Sequence, residues 1–130
     1  MTCNFSAKDA ACIGSREDRS TAELLKTNLC LPLRQPCDDI LRIIFISGAL
    51  PIINGIFTIS NTSLDCVMTV EVTDANGAAV GYTILSQSSI AISVESLTLI
   101  QLSCTGETGP DPSIFCSGAF EANLNYCVSC

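Results

Sequence analysis

No histidine and no tryptophan occur among the 130 residues of this chain. The first absence removes the side chain that most often moves protons near neutral pH, and with it any Ser-His-acid or Cys-His nucleophilic set and the H-E-x-x-H metal motif. A G-x-x-x-x-G-K phosphate loop is missing too, so no catalytic set is assembled and the chain is not expected to be an enzyme. Charge is scarce, at 15% of residues, and positive charge scarcer. The six basic residues, Lys8, Arg16, Arg19, Lys26, Arg34 and Arg42, are spread through the first third, and the net charge is −7. Phosphate-backbone binding needs a basic footprint, so nucleic acid is excluded as a partner. Without tryptophan, and with Tyr82 and Tyr126 inside expected strands, sugar stacking has little to build on. The longest apolar stretch, residues 43–57, is 15 residues long and holds Pro51, Asn54 and two glycines. It falls short of the roughly 20 residues a membrane helix needs and reads better as two strands around a turn. No basic segment followed by an apolar run opens the chain, so no secretory signal is read there.

What is abundant is cysteine, nine in all. Such density is usual where disulfides persist and unusual in a reducing cytosol. An odd count cannot be paired within one chain, so at least one thiol is free, bonded to another subunit, or holding something else. A chain of this length builds an ordinary core, burying about 65% of its unfolded surface, so cross-links are not needed merely to replace a core. With a mean hydropathy of +0.45, a surface poor in charge and rich in Ser, Thr and Asn can be buried against copies of itself at small desolvation cost.

Along the chain, residues 1–19 show no apolar period and read as a flexible arm. Ser20-Thr21-Ala22-Glu23 fits a capping box, and Ala22, Leu24, Leu25 and Lys26 favour helix, which predicts a short helix over residues 21–29 ended by Pro32. Residues 32–36 read as a linker. Strands follow over residues 40–47 and 55–61. In residues 66–73 the alternation is clear: Cys66, Met68, Val70 and Val72 share one face, opposite Val67, Thr69, Glu71 and Thr73. Asp74-Ala75-Asn76-Gly77 supplies a hairpin turn into a strand over residues 80–85. Ile90, Ile92 and Val94 alternate with Ala91, Ser93 and Glu95, and a turn near Glu95-Ser96 leads to a strand over residues 97–104. GETGPDP, residues 106–112, is a loop. In the last strand Ala122, Leu124, Tyr126 and Val128 oppose Glu121, Asn123, Asn125 and Cys127. About seven short strands predict an all-β, two-sheet sandwich, with residues 1–36 as a cysteine-bearing arm containing the short helix and residues 37–130 as the body.

The remaining chemistry lies in the thiols. Cys127-Val128-Ser129-Cys130 is a single C-x-x-C element with no second pair and no histidine, so it reads as a disulfide element, and neither a metal nor any other cofactor is expected. It sits at the end of a strand and not at a helix N-terminus, which disfavours thiol-exchange activity. Asp38-Asp39 is a pair of neighbours that point apart and reads as a solvated turn. Asp74, Asn76 and Gly77 lack the spaced acids of a calcium loop. Asn4-Phe5-Ser6 and Asn61-Thr62-Ser63 are sequons that matter only where a host glycosylates them. Cys104 and Cys116, bracketing the acidic loop, are the candidate intrachain bridge, with Cys30 and Cys37 also close in sequence. Cys3, Cys12, Cys30, Cys37, Cys66, Cys127 and Cys130 are candidates for bonds between chains, and for Cys66, on an apolar face, a buried free thiol is the plain alternative.

The stretches GIFTISNTSLDCVMTVEV, DANGAAVGYTIL and SIAISVESLTLIQLSC, together with the cysteine-bearing N-terminal arm, resemble the endospore appendage subunits of Bacillus-type bacteria. The resemblance covers most of residues 55–104 and, more loosely, the arm. It implies a jellyroll sandwich whose copies polymerise into fibres on the spore surface, after assembly in the mother cell without a secretory signal. Sheets would augment between neighbours, and connector cysteines would bond to other subunits. Cys3 and Cys12 would be those connector cysteines, although the family's connectors carry an adjacent pair. Cys30, Cys37, Cys66 and Cys104 stay open as their partners in the body. The segment 20–29 and Cys127 and Cys130 are additions to a connector-plus-jellyroll plan, pointing to stacked rings, a terminal adaptor or another subtype. Implied partners are copies of the chain, with a related minor subunit or a spore-surface anchor beside them. A secreted cysteine-rich β-sandwich adhesin or binding module, and an amorphous spore-coat network protein, are the rival readings.

Overall fold

In the computed structural model, residues 24–48 and 52–127 are described. They form eight strands and, among the described residues, no helix: β1 Leu24–Cys37, β2 Arg42–Ile46, β3 Ile53–Asn61, β4 Cys66–Asp74, β5 Ala79–Ile84, β6 Ser88–Val94, β7 Leu97–Gly106 and β8 Asp111–Cys127. Two four-stranded sheets result, ordered β1-β8-β3-β6 and β2-β7-β4-β5, with every strand pair antiparallel. That order, in which every successive pair but β4 and β5 crosses between sheets, is an eight-stranded jellyroll. The all-β sandwich expected from the alternating segments is therefore present. The arm before residue 24 lies outside the described residues.

The alternation explains the layers. On β4, Cys66, Met68, Val70 and Val72 are buried while Thr69 is exposed. On β8, Phe120, Ala122 and Leu124 point into the same core, and Phe57 from β3 meets Phe120 with ring centroids 5.6 Å apart. A β-carbon at Gly118 would overlap the Ser60 carbonyl oxygen, so β3 and β8 approach closely there because glycine has none. The hairpin between β4 and β5 is built as its sequence suggests. Gly77 takes φ +84°, and the Asp74 carboxylate accepts the Asn76 and Ala78 amide protons at 2.9 and 3.1 Å.

One segment departs from expectation. The described part of the expected helix, residues 24–29, and the expected linker, residues 32–36, are one continuous strand paired with β8 from Leu24↔Cys127 to Cys37↔Asp111. Helix propensity and a capping box are weak local preferences, and the ladder with a partner about ninety residues away overrides them. The prolines fit because β1 is an edge strand. Pro32 and Pro36 share one parity, so the side lacking an N–H can face away from β8 at both.

Candidate functional site

Two strands from each sheet converge at one end of the sandwich, and each brings a cysteine. Cys37 ends β1 and Cys116 lies on the adjacent β8; Cys66 opens β4 and Cys104 lies on the adjacent β7. None of the four is more than 1% exposed. Cys37 is bonded to Cys66 and Cys104 to Cys116, with Cα separations of 6.9 and 6.3 Å. Each bond therefore ties one sheet to the other. The two disulfides also touch, because Cys37 Sγ lies 3.9 Å from Cys116 Sγ.

The backbone around this quartet is held by groups other than sulfur. Asn61, 1% exposed, donates from Nδ2 to the carbonyls of Cys66 and Ile84 at 2.9 and 3.2 Å, and its Oδ1 accepts the Ser63 amide proton at 3.0 Å. Ser86 Oγ gives the Cys66 carbonyl a second donor at 3.0 Å. Across the quartet, the Cys104 carbonyl accepts the Asp39 amide proton at 2.8 Å. Asp39 reaches it from a left-handed turn, φ 65°. The preceding Asp38 is gripped at both oxygens by the Arg42 guanidinium, at 2.9 and 2.7 Å. That charge-assisted pair, helped by the Ile40 amide and opposed by partial desolvation, lowers the Asp38 carboxyl to about 2.

These contacts revise several expectations. Asp38 and Asp39 form the turn after β1, as read, with Asp38 matched to a cation and not to its neighbour. Asn61 has both amide functions committed inside the core, so the folded chain offers no acceptor nitrogen at Asn61-Thr62-Ser63. Nothing in the local sequence distinguishes it from a surface asparagine; only the packing of β3, β4 and β5 does. Cys37 and Cys66, placed among the candidates for bonds between chains, are bonded to each other, and Cys66 is not a free thiol. Cys104 and Cys116, the intrachain candidate, are likewise bonded to each other.

Cys30 sits elsewhere. It lies on β1 opposite Glu121, on the parity that faces away from the core, with Sγ 3.9 Å from Glu121 Oε2, and it is disulfide-bonded. Nearby, Arg34 lies 4.2 Å over the ring of the exposed Phe115. Cys127 is the last residue of β8, while Cys3, Cys12 and Cys130 lie outside the described residues. An open cleft of about 150 Å³ between β4, β5 and β6 is lined by Val72, Val80, Tyr82 and Val94 with Asp74 and Glu95 at its rim. It is smaller than the ~300 Å³ at which small-molecule pockets begin.

The family model for endospore appendages matches residues 12–128. Among solved structures, one reported under "Bacillus endospore appendages form a novel family of disulfide-linked pili" matches with a TM-score of 0.69 and 14% identity, covering 88% of this chain and 97% of that one. The infectious bursal disease virus VP2 subviral particle follows at a TM-score of 0.40 and 9% identity, covering 83% of this chain and 33% of the viral one. No match was found among curated protein sequences. The appendage structure shares the fold, and the family match spans all eight described strands: this chain belongs to the endospore appendage family.

Proposed function

We propose that the chain is a structural subunit that assembles with copies of itself into disulfide-cross-linked fibres or stacked rings on the endospore surface. The observation that carries this reading is the division of the cysteines. Four are consumed inside the sandwich and Cys30 is disulfide-bonded as well, so of the nine only Cys3, Cys12, Cys127 and Cys130 are left to supply bonds to other copies. The odd cysteine therefore belongs to a group that lies before β1 or at and after the end of β8 in sequence. Cross-links between copies would come from that group, with Cys3 and Cys12 as the reaching thiols. Among the described residues, β1 and β6 in one sheet and β2 and β5 in the other are edge strands, which would serve strand addition between subunits. Docking would hold thiols at high effective concentration, and oxidation would then close the route to dissociation. A related minor subunit or an anchor at the spore surface would terminate such an assembly.

Negative-stain microscopy before and after mild oxidation, with reducing and non-reducing gels on the same samples, tests the proposal. Regular fibres or rings with reducible high-mass bands are expected. Dispersed monomers in every condition would instead point to a binding module, and irregular aggregates with the same bands to an amorphous coat network.

A further inference from the structure

The sulfur atoms of Cys37, Cys66 and Cys116 all lie within 4.8 Å of one another, and Cys104 is bonded to the third of them. We propose that, when its disulfides are reduced, this quartet is a zinc site in which Cys37, Cys66, Cys104 and Cys116 supply four thiolates. Zinc is bound tetrahedrally by sulfur at about 2.3 Å, which puts neighbouring sulfurs about 3.8 Å apart. The contact between Cys37 Sγ and Cys116 Sγ, across two different disulfides, is 3.9 Å. The spacing along the chain hides the site, because its ligands come from four strands and form no C-x-x-C element.

Contacts other than sulfur hold the backbone of these ligands. Cys66 is held through its carbonyl by Asn61 and Ser86, and Cys104 through its carbonyl by the Asp39 amide. Cys37 and Cys116 lie on paired strands whose ladder needs no sulfur. The thiols would thus stay clustered, which is the preorganisation a structural metal site requires. Two equivalents of a dithiol reductant convert the two disulfides to four thiols and are themselves oxidised to disulfides. Zinc then displaces the four thiol protons to give a tetrathiolate of net charge −2. Two equivalents of a low-molecular-weight disulfide reverse this: both protein disulfides re-form, four small thiolates leave, and Zn²⁺ is released. In the reduced state the metal would keep the inner four thiols from cross-linking with the outer five. The site does not depend on the fibre reading and can fail or stand without it.

The test uses the full chain with Cys3, Cys12, Cys30, Cys127 and Cys130 changed to serine, reduced with a phosphine and titrated anaerobically with Co²⁺, whose tetrahedral thiolate complexes absorb strongly in the visible. About one equivalent is expected to give that spectrum and to be displaced by about one equivalent of Zn²⁺. Adding Cys116→Ser should abolish or shift it. Far-UV circular dichroism separates failure to fold from failure to bind. A reduced chain that is folded and shows no tetrahedral spectrum overturns the proposal, as does one whose spectrum is indifferent to Cys116→Ser. If the reduced chain unfolds, recovery of strand signal on adding Zn²⁺ supports the site, and no recovery overturns it.

Discussion

The cysteines inside the sandwich and the cysteine on its outer face solve different problems. At the inner end, Cys37, Cys66, Cys104 and Cys116 are sealed from water and tie β1 to β4 and β7 to β8, so their chemistry is spent on holding two sheets together. Cys30, on the same strand as Cys37, has the opposite parity and lies beside a carboxylate on the outside. Seven residues separate the two along β1, since thirty-seven less thirty is seven. In a strand an odd separation is enough to send one side chain into the core and the other away from it. A single edge strand therefore serves both the fold and the exterior.

The largest effect expected from breaking this division comes from the inner pair of bonds. Chain-entropy arithmetic gives about 3.5 kcal/mol for the 29-residue separation of Cys37 and Cys66 and about 3 kcal/mol for the 12-residue separation of Cys104 and Cys116. Removing both with Cys66→Ala and Cys116→Ala should cost about 6 kcal/mol, a large part of a domain's total stability. Urea unfolding followed by circular dichroism measures it. Cys127→Ser with Cys130→Ser, which leaves both inner bonds intact, should cost far less, about 0.5 kcal/mol or under. Equal losses from the two pairs of changes would erase the distinction between inner and outer thiols.

A smaller effect sharpens the same contrast by leaving every cysteine in place. Asn61→Ala withdraws the Nδ2 donors from the Cys66 and Ile84 carbonyls and the acceptor from the Ser63 amide, all buried. Leaving such groups unmet costs about 2 to 3 kcal/mol. The variant should lower the unfolding free energy in urea by that amount and speed reduction of the Cys37–Cys66 bond about tenfold or more, read by thiol labelling under partial reduction. A midpoint shift with no change in labelling would mean that Asn61 supports the fold without guarding the quartet.

Most of the second half of the fold was legible from alternation alone. Residues 66–73, 90–94 and 121–126 each show one apolar and one polar face, and the structure buries those apolar faces wholly or in part. The turn at Asn76-Gly77 was equally plain, because a left-handed backbone there demands such residues. β1 was illegible for a physical reason: its strand state comes from β8, far along the chain, whereas its sequence offers capping residues, helix formers and two prolines. The quartet was only half visible. Cys104 and Cys116 flank one loop, but Cys37 and Cys66 meet only after two strands from different sheets have packed. Asn61 read only as part of a sequon, because burial is a property of the packed sheets and not of the tripeptide.

The smallest effect concerns the turn that leads out of β1, where the inner region meets solvent. Asp38 follows Cys37 directly, and its carboxyl, held by Arg42, titrates at about 2. An unpaired aspartate in the unfolded chain titrates near ~3.9. The folded value is the lower one, so the stabilising contribution is fully present above about pH 4 and is lost as pH falls toward about 2. The pair is partly exposed and within reach of salt, which keeps its contribution modest. Asp38→Asn should therefore lower the urea midpoint slightly at neutral pH, and the parent should lose more stability than the variant between about pH 4 and about pH 2, so that the two curves approach each other in acid. Parallel curves over that range would show that Arg42 gives Asp38 no preference for its charged form. The turn would then rest on neutral contacts such as the Asp39 amide's hydrogen bond to the Cys104 carbonyl and the Asp38–Thr105 bridge, making it part of the inner region and not a hinge between the two.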